Sequence, residues 1–507
     1  MRRESIWAAT TELPAGAPLA ESVKADVCIV GAGISGLTTA YLLGLEGKRV
    51  VVLDDGPIAG GMTRATTAHL TNALDDRYFE IERMHGEATA RLTAQSHTAA
   101  INRIEAAVRQ EKIACDFERL NGYLFVPPDQ PIEVLERELA AAHRAGLKDV
   151  DLLNRAPLQP FNTGPCLRFP KQAQFHPLKY LSGLAQAIER AGGRIFTDTH
   201  ADSIQGGKPA EVKAGNHMVN CDAIVVATNA PVNDLVAIHT KMAPYMSYVI
   251  GARVPRGAVD RALYWDTLDS YHYVRLMDLD AGNELLIVGG EDHKSGQVDD
   301  TAGRHGRLEV WARERFPEMA ELQYAWTGQI METVDGLAYI GRNPLDKDNV
   351  FVVTGDSGMG MTHGTIAGML LTDLILGRRS LWEKLYDPSR KTLRAAGNYL
   401  KHAGNMAAQY RDWVGKGDVG SVDEIQNGGG AVIRRGVHMV AAYRDEQGRL
   451  HERSAICNHL GCLVHWNAAD STWDCACHGS RFDKLGKVIN GPANRDLSSV
   501  ERKVSGA

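Results

Sequence analysis

The chain has 507 residues, which is enough for two or three domains. Its composition, 44% hydrophobic and 23% charged, excludes a disordered or fibrous protein, and the formal net charge of −6 gives no reason to expect nucleic acid or an anionic membrane as a partner. No apolar h-region follows Arg2 and Arg3, and no apolar run is long enough to span a bilayer. We therefore expect a cytoplasmic protein without a membrane span.

A strand, a glycine-rich turn, a helix and a second strand open the chain. Residues 26–30 and 49–53 are continuous apolar runs, which suit a parallel sheet that is buried on both faces. Between them the turn GAGISG has glycines where a dinucleotide site needs a tight turn, a close approach of a pyrophosphate and close packing of helix on strand. An acidic residue at the end of the second strand can accept ribose hydroxyls. The predicted nucleotide contacts are Gly31, Gly33, Ser35, Gly36 and Asp54.

The middle of the chain alternates between helical and strand-like patterns. We predict a mostly helical stretch over 75–145, an amphipathic helix over 177–191 and a buried strand over 221–227. Residues 244–290 are rich in strand patterns. The polar segment 291–294 follows a Gly-Gly turn, and its pattern favours a solvated loop over a pocket lining.

A second glycine-rich turn, TGDSGMGMT, joins the predicted strand 350–353 to a long apolar helix. The positive end of such a helix can face the flavin edge where negative charge develops on reduction, although a plain strand–helix turn is the alternative. No second GxGxxG pattern follows a strand in mid-chain, which favours FAD over an internal NAD(P)H domain. The further predicted FAD contacts are Asn229, Gly355, Gly358, Gly360 and Thr362.

These turns, together with residues 175–177, 326–329 and 335–341, resemble the D-amino-acid-oxidase-like FAD superfamily, which includes glycine oxidase. The resemblance implies an α/β Rossmann-like FAD-binding domain joined to an α+β substrate domain. Residues 63–71 resemble a branch whose members carry an added Rieske domain, and by that resemblance Thr63 and Thr67 are expected to contact FAD.

The same resemblance implies chemistry at the carbon next to an amine nitrogen, which loses a hydride to the flavin. In several relatives an arginine on the substrate-domain sheet holds a carboxylate. Arg275 is the candidate for this role, and a surface arginine on a strand is an equally weighted alternative.

Four of the eight cysteines lie in one short window near the C-terminus. Such crowding indicates a metal centre rather than a disulfide framework in a chain without an export signal. Two boxes, CNHLGC and CACHGS, each offer a thiolate and an imidazole, the set that holds the two irons of a Rieske [2Fe–2S] cluster. A structural zinc site is the less favoured alternative. The predicted ligands are Cys457, His459, Cys475 and His478.

The C-terminal boxes resemble the Rieske domains of the cytochrome bc type, and this resemblance implies a small all-β domain. It also implies a disulfide between Cys462 and Cys477. Ser480 keeps the hydroxyl that bonds a cluster sulfur, whereas Phe482 stands where high-potential members have tyrosine. We therefore predict a potential below the top of the Rieske range of roughly −150 to +300 mV.

The predicted organisation has three parts, with an FAD-dependent body first, a helical linker next and the Rieske domain last. The linker pattern favours one helix over 393–414. The predicted boundaries are 1–385 for the body, with FAD-binding segments of about 20–95, 170–240 and 325–380 and substrate segments of about 96–169 and 241–324, then 386–416 for the linker and 417–507 for the Rieske domain.

The domain content predicts a dehydrogenase that oxidises a small amine or amino acid and passes electrons from the flavin through the cluster to an external acceptor. Two alternatives stay open. One is an oxidase that uses O₂ and has a structural cluster, and the other is a redox relay or sensor without enzymatic activity.

Overall fold

The computed structural model describes residues 1–127, 130–233, 238–297 and 300–500. Parts of the predicted segments 96–169, 170–240, 241–324 and 417–507 therefore lie outside the described residues. None of the described helices is long and apolar enough to cross a bilayer. Numbered in chain order, the helices are α1 Ile6–Thr10, α2 Ile34–Leu45, α3 Tyr78–His85, α4 Glu87–Glu111, α5 Glu133–Arg144, α6 Pro177–Arg190, α7 Arg304–Arg315, α8 Gly360–Ile375, α9 Glu383–Tyr386 and α10 Ala396–Gln409.

The strands are numbered in the same way. Those of the body are β1 Val23–Lys24, β2 Val27–Val30, β3 Val50–Leu53, β4 His69–Leu70, β5 Glu118–Phe125, β6 Asp151–Leu153, β7 Cys166–Gln174, β8 Arg194–Phe196, β9 Ser203–Gln205, β10 Ala210–Ala214, β11 His217–Cys221, β12 Ala223–Val226, β13 Met242–Pro255, β14 Leu263–Asp266, β15 His272–Asp278, β16 Asn283–Lys294, β17 Leu322–Thr333, β18 Tyr339–Arg342 and β19 Val350–Thr354. Those of the C-terminal domain are β20 Gly430–Arg435, β21 His438–Arg444, β22 Leu450–Ser454, β23 Val464–Asn467, β24 Thr472–Cys475, β25 Arg481–Asp483 and β26 Val488–Asn490.

The first sheet has the strand order β18-β19-β12-β2-β3-β8. β2 pairs in parallel with β3 and with β12, and every residue of these three strands is buried. Helices α2 and α8 pack on this sheet and against each other. The strand order and the parallel pairing of β2 with β3 and β12 confirm the predicted Rossmann-like FAD-binding fold.

The second sheet has the order β17-β13-β16-β15-β14-β5-β7-β4, and β6 pairs with β7. It is the predicted sheet of the substrate domain. The stretch 75–145 is mostly helical, as predicted, through α3, α4 and α5, but β5 interrupts it and pairs along β7. The prediction for residues 291–294 is wrong, because they end the long strand β16 instead of forming a solvated loop. Long-range pairing of strands overrides local propensity at both places.

The C-terminal domain is all-β, as predicted. Its strands form the sheets β20-β21-β22 and β23-β24-β25-β26. Helix α10 connects the body to this domain. It has a 3₁₀ turn at each end, Leu393–Ala395 and Tyr410–Val414, so the single helix predicted over 393–414 is divided into three segments.

Candidate functional site

Two glycines of the first turn lie where no side chain fits. Gly31 follows β2 with a φ of +109°, and a Cβ at this position would overlap the carbonyl oxygen of Ala227. A Cβ on Gly36 would overlap the carbonyl oxygen of Gly31. These close backbone contacts fix the shape of the turn, which leads into the N-terminus of α2, a kind of position where an anion can bind.

Asp54 and Thr63 hold the shape of this turn. Asp54 Oδ2 accepts a hydrogen bond from the N–H of Ala32 at 2.6 Å, and Oδ1 accepts one from Gly56 at 2.9 Å. Burial raises the pKa of Asp54 to about 6 despite these bonds. Thr63 Oγ1 accepts a hydrogen bond from the N–H of Ile34 at 3.1 Å. Because a carboxylate oxygen accepts more than one bond, the contact of Asp54 with ribose hydroxyls stays a prediction.

The second turn crosses from β19 into α8. Gly355 and Gly358 have φ angles of +72° and +74°, which are backbone conformations that glycine favours. Thr362 Oγ1 and His97 Nδ1 are hydrogen-bonded at 2.9 Å, which holds the first turn of α8 against α4. Asn229, with a φ of +65°, follows β12 and lines the same cavity.

A cavity of about 1130 Å³ joins the two turns. Its size and its glycine-rich walls fit an extended dinucleotide such as FAD. Gly36 does not line it and acts through packing. The predicted FAD contacts that line the cavity are Gly31, Gly33, Ser35, Asp54, Thr63, Thr67, Asn229, Gly355, Gly358, Gly360 and Thr362.

Arg275 lies behind the wall of this cavity. Its Nη1 donates to the carbonyl oxygens of Thr67, Ala68 and Phe175 at 2.9, 3.0 and 3.2 Å. The side chain is 3% exposed and its guanidinium is 5.2 Å from the ring centroid of Trp7. Arg275 does not line the cavity, and its Nε is buried without a hydrogen-bond partner. This geometry gives no support to a contact with a substrate carboxylate, which stays a prediction, and the alternative of a surface arginine does not hold because the side chain is buried.

The substrate sheet contributes a polar, aromatic wall that the sequence analysis missed. Trp265, Tyr271 and Tyr273 line the cavity. The hydroxyl of Tyr271 donates to Asp75 Oδ2 at 3.1 Å, and the hydroxyls of Tyr273 and Ser247 are 2.6 Å apart. The alternation of the two tyrosines along the predicted strand is a signal that they share one face. Nothing in the local sequence marks Asp75.

Two loops of the C-terminal domain bring the four predicted cluster ligands together. The thiols of Cys457 and Cys475 are hydrogen-bonded to each other, which lowers the pKa of Cys457 to about 7. The rings of His459 and His478 lie with their centroids 4.9 Å apart. Burial lowers the pKa of His478 to about 3, so the imidazole stays neutral, as a metal ligand must. Two paired thiols and two paired imidazoles fit a cluster with one Cys-ligated and one His-ligated iron.

A disulfide and a serine support these loops. Cys462 and Cys477 form a disulfide that links one loop to the other. Ser480 Oγ accepts a hydrogen bond from the N–H of Ala493 at 2.9 Å, and its hydroxyl bonds to the Cys457 sulfur. The hydroxyl expected from the sequence is thus directed at a ligand sulfur.

The cluster loops pack on the wall of the cavity. Gln329 lines the cavity, and its Nε2 donates to the carbonyl oxygen of Gly479 at 2.9 Å. Its Oε1 accepts a hydrogen bond from Asn490 Nδ2. Gly479 directly follows His478 in the chain. One buried side chain therefore contacts both the cavity and a ligand loop, a link that no local sequence pattern predicts.

The comparison with protein families identifies the body. The family described as FAD dependent oxidoreductase matches residues 26–374, which is more than half of the chain. The chain belongs to this family of FAD-dependent oxidoreductases. The family described as Rieske [2Fe-2S] domain matches residues 415–501 of the same oxidoreductase. Both predicted cofactors, FAD and a [2Fe–2S] cluster, are therefore confirmed at the level of the domain families.

Two curated relatives of this FAD-dependent oxidoreductase differ in how much of the chain they cover. The protein YhfW of Bacillus subtilis (strain 168), whose name describes a Rieske 2Fe-2S iron-sulfur protein, is 31% identical over 504 residues, covering 98% of this chain and 97% of its own. Gamma-glutamylputrescine oxidoreductase of Escherichia coli (strain K12) is 29% identical over 372 residues, covering 71% of this chain and 85% of its own. The first relative therefore spans both domains, and the second spans the body.

Solved structures support the fold of the oxidoreductase body. Glycine oxidase from Geobacillus kaustophilus has a TM-score of 0.60 at 18% identity, covering 73% of this chain and all of its own. L-proline dehydrogenase from P. horikoshii has a TM-score of 0.60 at 17% identity, covering 73% of this chain and 98% of its own. At these identities the likeness establishes the fold alone.

Proposed function

We propose that this oxidoreductase is a dehydrogenase that oxidises a small amine or amino acid and passes the electrons through the Rieske cluster to an external acceptor. When bound, FAD accepts a hydride from the carbon next to an amine nitrogen and the cluster carries one electron at a time. The names of the relatives, gamma-glutamylputrescine oxidoreductase, glycine oxidase and L-proline dehydrogenase, support a CH–NH donor.

The observation that carries the electron route is the position of Gln329. This residue is 3% exposed and lies in β17, so its backbone is fixed by the substrate sheet. Its side chain binds the loop that carries His478 and, through Asn490, the strand before the loop of Gly491. The buried amide thus holds the ligand loop against the wall of the FAD cavity, and a short separation favours transfer between the two.

A second contact supports the same route. The ring centroid of His239, a residue of the body, lies 4.8 Å from that of His459 and 5.7 Å from that of His478. His239 Nε2 donates to the carbonyl oxygen of Pro231 at 3.0 Å, which fixes the orientation of its ring. The imidazole edge of the cluster site therefore faces the flavoprotein body.

The residues around the reacting carbon have mainly to orient the substrate and exclude water. The rings of Trp265, Tyr271 and Tyr273 provide an apolar wall with hydroxyls at two points. Chemistry of this kind needs little further acid–base help when the amine arrives neutral.

The test is anaerobic mixing of the purified holoprotein with a panel of small amines and amino acids. We expect bleaching of the flavin bands, followed in freeze-quenched samples by the EPR signal of a reduced Rieske cluster. A one-electron acceptor added under air should be reduced without stoichiometric hydrogen peroxide.

The matched control is Cys475→Ser, which removes one ligand of the cluster and leaves the cavity residues unchanged. Its flavin should still bleach, whereas reduction of the one-electron acceptor should be lost. Stoichiometric peroxide with an oxidised cluster would favour the oxidase alternative. A flavin that no amine or amino acid bleaches would favour a redox relay or sensor.

A further inference from the structure

The half of the cavity next to the substrate sheet has an acidic, aromatic lining. We call it the acidic chamber and define it by Asp75, Ser247, Trp265, Tyr271 and Tyr273, all of which line the cavity. The ring centroids of Tyr271 and Tyr273 are 5.4 Å apart, and their hydroxyls bind Asp75 and Ser247. The chamber therefore presents one carboxylate among aromatic rings.

The positive charges that line the cavity lie at its other end. Within the described part of the chain, Lys487 and Arg495 are the lysine and arginine residues that line the cavity. Both belong to the C-terminal segment whose Asn494 donates to the carbonyl oxygen of Ala201, near the nucleotide turn. Burial lowers the pKa of His69, which also lines the cavity, to about 3, so its ring is neutral. Among the described residues, no lysine or arginine side chain therefore lines the chamber itself.

Asp75 lies close to the turn that opens α8. A Cβ on Gly358 would overlap Asp75 Oδ2, so the carboxylate rests directly on the backbone of this turn. Burial raises the pKa of Asp75, and the hydroxyl of Tyr271 is its hydrogen-bond donor at 3.1 Å. The carboxyl group of Asp75 thus lies beside the expected flavin position.

Two further carboxylates lie close enough to act on Asp75. Burial raises the pKa of Asp292 to about 7, although its hydrogen bond with Ser247 acts to lower this pKa. The charge of Asp75 raises it further. Asp292 Oδ1 is buried without a hydrogen-bond partner. Burial also raises the pKa of Glu332 to about 8, and the charges of neighbouring carboxylates, Asp292 and Asp75 among them, contribute. Asp292 and Glu332 do not line the cavity, so Asp75 is the carboxyl group of these three that a ligand in the cavity can reach.

Two arginines near this group are bound elsewhere. Arg77 lowers the pKa of Asp75, but its Nη1 donates to the carbonyl oxygens of Leu74 and Asp75 at 3.0 Å. Arg304 lowers the pKa of Asp292, but its Nη1 donates to the carbonyl oxygen of Glu291. Both guanidiniums act on the carboxyls by charge, but through these bonds neither donates to the side chain of Asp75 or Asp292, so a ligand can add a hydrogen bond to Asp75.

We propose that the substrate carries a second ammonium group in place of a carboxylate, as an aliphatic diamine does, and that Asp75 binds this ammonium group. The inference rests on the proposed amine dehydrogenase function and names its substrate class. An ammonium group can donate a hydrogen bond to Asp75 beside the one from Tyr271, and the faces of Tyr271 and Tyr273 can contact it as well. Asp75 is therefore a specificity-determining residue.

The test compares two ligands of equal chain length that differ in their terminal charge, 1,4-diaminobutane and 4-aminobutanoate. Each is titrated anaerobically into the FAD-loaded holoprotein. Binding is read from the change in flavin absorbance on mixing, and reduction is read from later bleaching. We expect the diamine to bind roughly tenfold or more tightly than the amino acid, since hydrogen bonds to charged groups are strong.

Asp75→Asn removes the charge and keeps the shape. We expect it to abolish the preference for the diamine over 4-aminobutanoate. Asp149→Asn, at a surface aspartate that pairs with Lys171, is the matched control and should keep the preference. If Asp75→Asn fails to retain FAD, Asp292→Asn is the second variant. It removes the neighbouring carboxyl group and should also weaken diamine binding.

The outcomes separate this inference from the proposed function. Flavin reduction by amino acids with no preference for the diamine would support the dehydrogenase and overturn the acidic chamber as a cation site. A preference for the diamine in binding without any flavin reduction would support the chamber and contradict the dehydrogenase. Equal binding of both ligands by the wild type and by Asp75→Asn would overturn the inference.

Discussion

At the scale of single residues, the first glycine turn has no space for one added methyl group. Gly36 lies in α2 with the carbonyl oxygen of Gly31 against its Cα. Backbone atoms cannot move aside as a flexible side chain can, so a substitution there must shift either the turn or the helix. The dinucleotide site therefore depends on a residue that does not line the cavity.

Gly36→Ala should lower the FAD content of the purified protein, because the turn can no longer approach the pyrophosphate. The FAD-to-protein ratio from the visible spectrum, together with thermal unfolding, measures this effect. Gly44→Ala is the control in the same helix, since a Cβ there meets only the Cβ of Ala191 at 3.7 Å. It should keep FAD and change stability by about 0.5–1 kcal/mol in the favourable direction. Equal FAD content in both variants would contradict the packing argument.

We expect the reduction potential of the cluster to change when a single hydroxyl group is added next to it, at position 482. Phe482 is fully buried among the residues around the cluster loops. Phe482→Tyr should raise the potential by about 20–60 mV, because one hydrogen bond is worth roughly 0.5–1.5 kcal/mol and a one-electron couple needs 59 mV for a factor of ten. An EPR-monitored redox titration measures the shift, and Trp473→Phe, a substitution that adds no hydroxyl, is the comparison. A lower potential in Phe482→Tyr would contradict the prediction.

At the scale of elements, the linker is fastened to the body by a buried ion pair. Arg390 donates from Nε and Nη2 to Asp335 at 2.9 and 2.7 Å, and Thr392 Oγ1 donates to the same carboxylate at 2.7 Å. Asp335 is 1% exposed. Burial alone would raise the pKa of Asp335, but the charge and hydrogen bonds of Arg390 and the bond from Thr392 outweigh it and lower the pKa to about 2.

Asp335→Ala should destabilise the protein by about 3–5 kcal/mol, because it leaves the buried Arg390 without its partner. Chemical denaturation measures the loss. Glu46→Ala, which breaks the exposed pair with Arg378, should produce no measurable change. Because the folded pKa of Asp335 is depressed, its stabilisation is present above about pH 4 and is lost as the pH falls toward 2. The decrease in the free energy of unfolding between about pH 4 and pH 2 should therefore be smaller in the variant than in the wild type.

Periodicity and turn chemistry predicted many of the elements but failed where distant segments pair. The apolar strands and glycine turns of the FAD-binding sheet were recognisable because each has a local signature. The strand β5 was hidden within a stretch of helical composition, and its pairing with β7 depends on residues about fifty positions away. Arg275 was proposed by resemblance to relatives, and the sequence around it does not reveal that its guanidinium binds the carbonyl oxygens of residues 67 and 68.

At the scale of the whole molecule, the two cofactor domains meet over polar, buried contacts. Gln329 binds Gly479 and Asn490, and Thr301 Oγ1 accepts a hydrogen bond from the N–H of Ala468 at 3.1 Å. The cluster ligands could be predicted because metal binding requires fixed residue types at fixed spacing. The contact between domains could not, since glutamine and asparagine carry no such constraint.

Gln329→Met should slow electron transfer from the flavin to the cluster, because it removes both hydrogen bonds and keeps the volume. We expect cluster reduction, followed by freeze-quench EPR, to slow at least tenfold after the flavin is reduced. Hydrogen exchange of the peptide that contains 475–480 should become faster. Gln426→Met, on an exposed part of the C-terminal domain, should change neither reading. Unchanged exchange and transfer in Gln329→Met would contradict a positioning role.

The C-terminal domain also builds part of the cavity wall, through residues 487–491 and 493–496. In a chain made from its N-terminus, the two glycine turns are complete before this segment leaves the ribosome. We therefore expect FAD to enter through a side that is still open at that stage, and docking of the Rieske domain to cover that side afterwards. Assembly would then have an order, with the nucleotide first and the iron–sulfur domain second, and we expect release of the flavin to require movement of this domain.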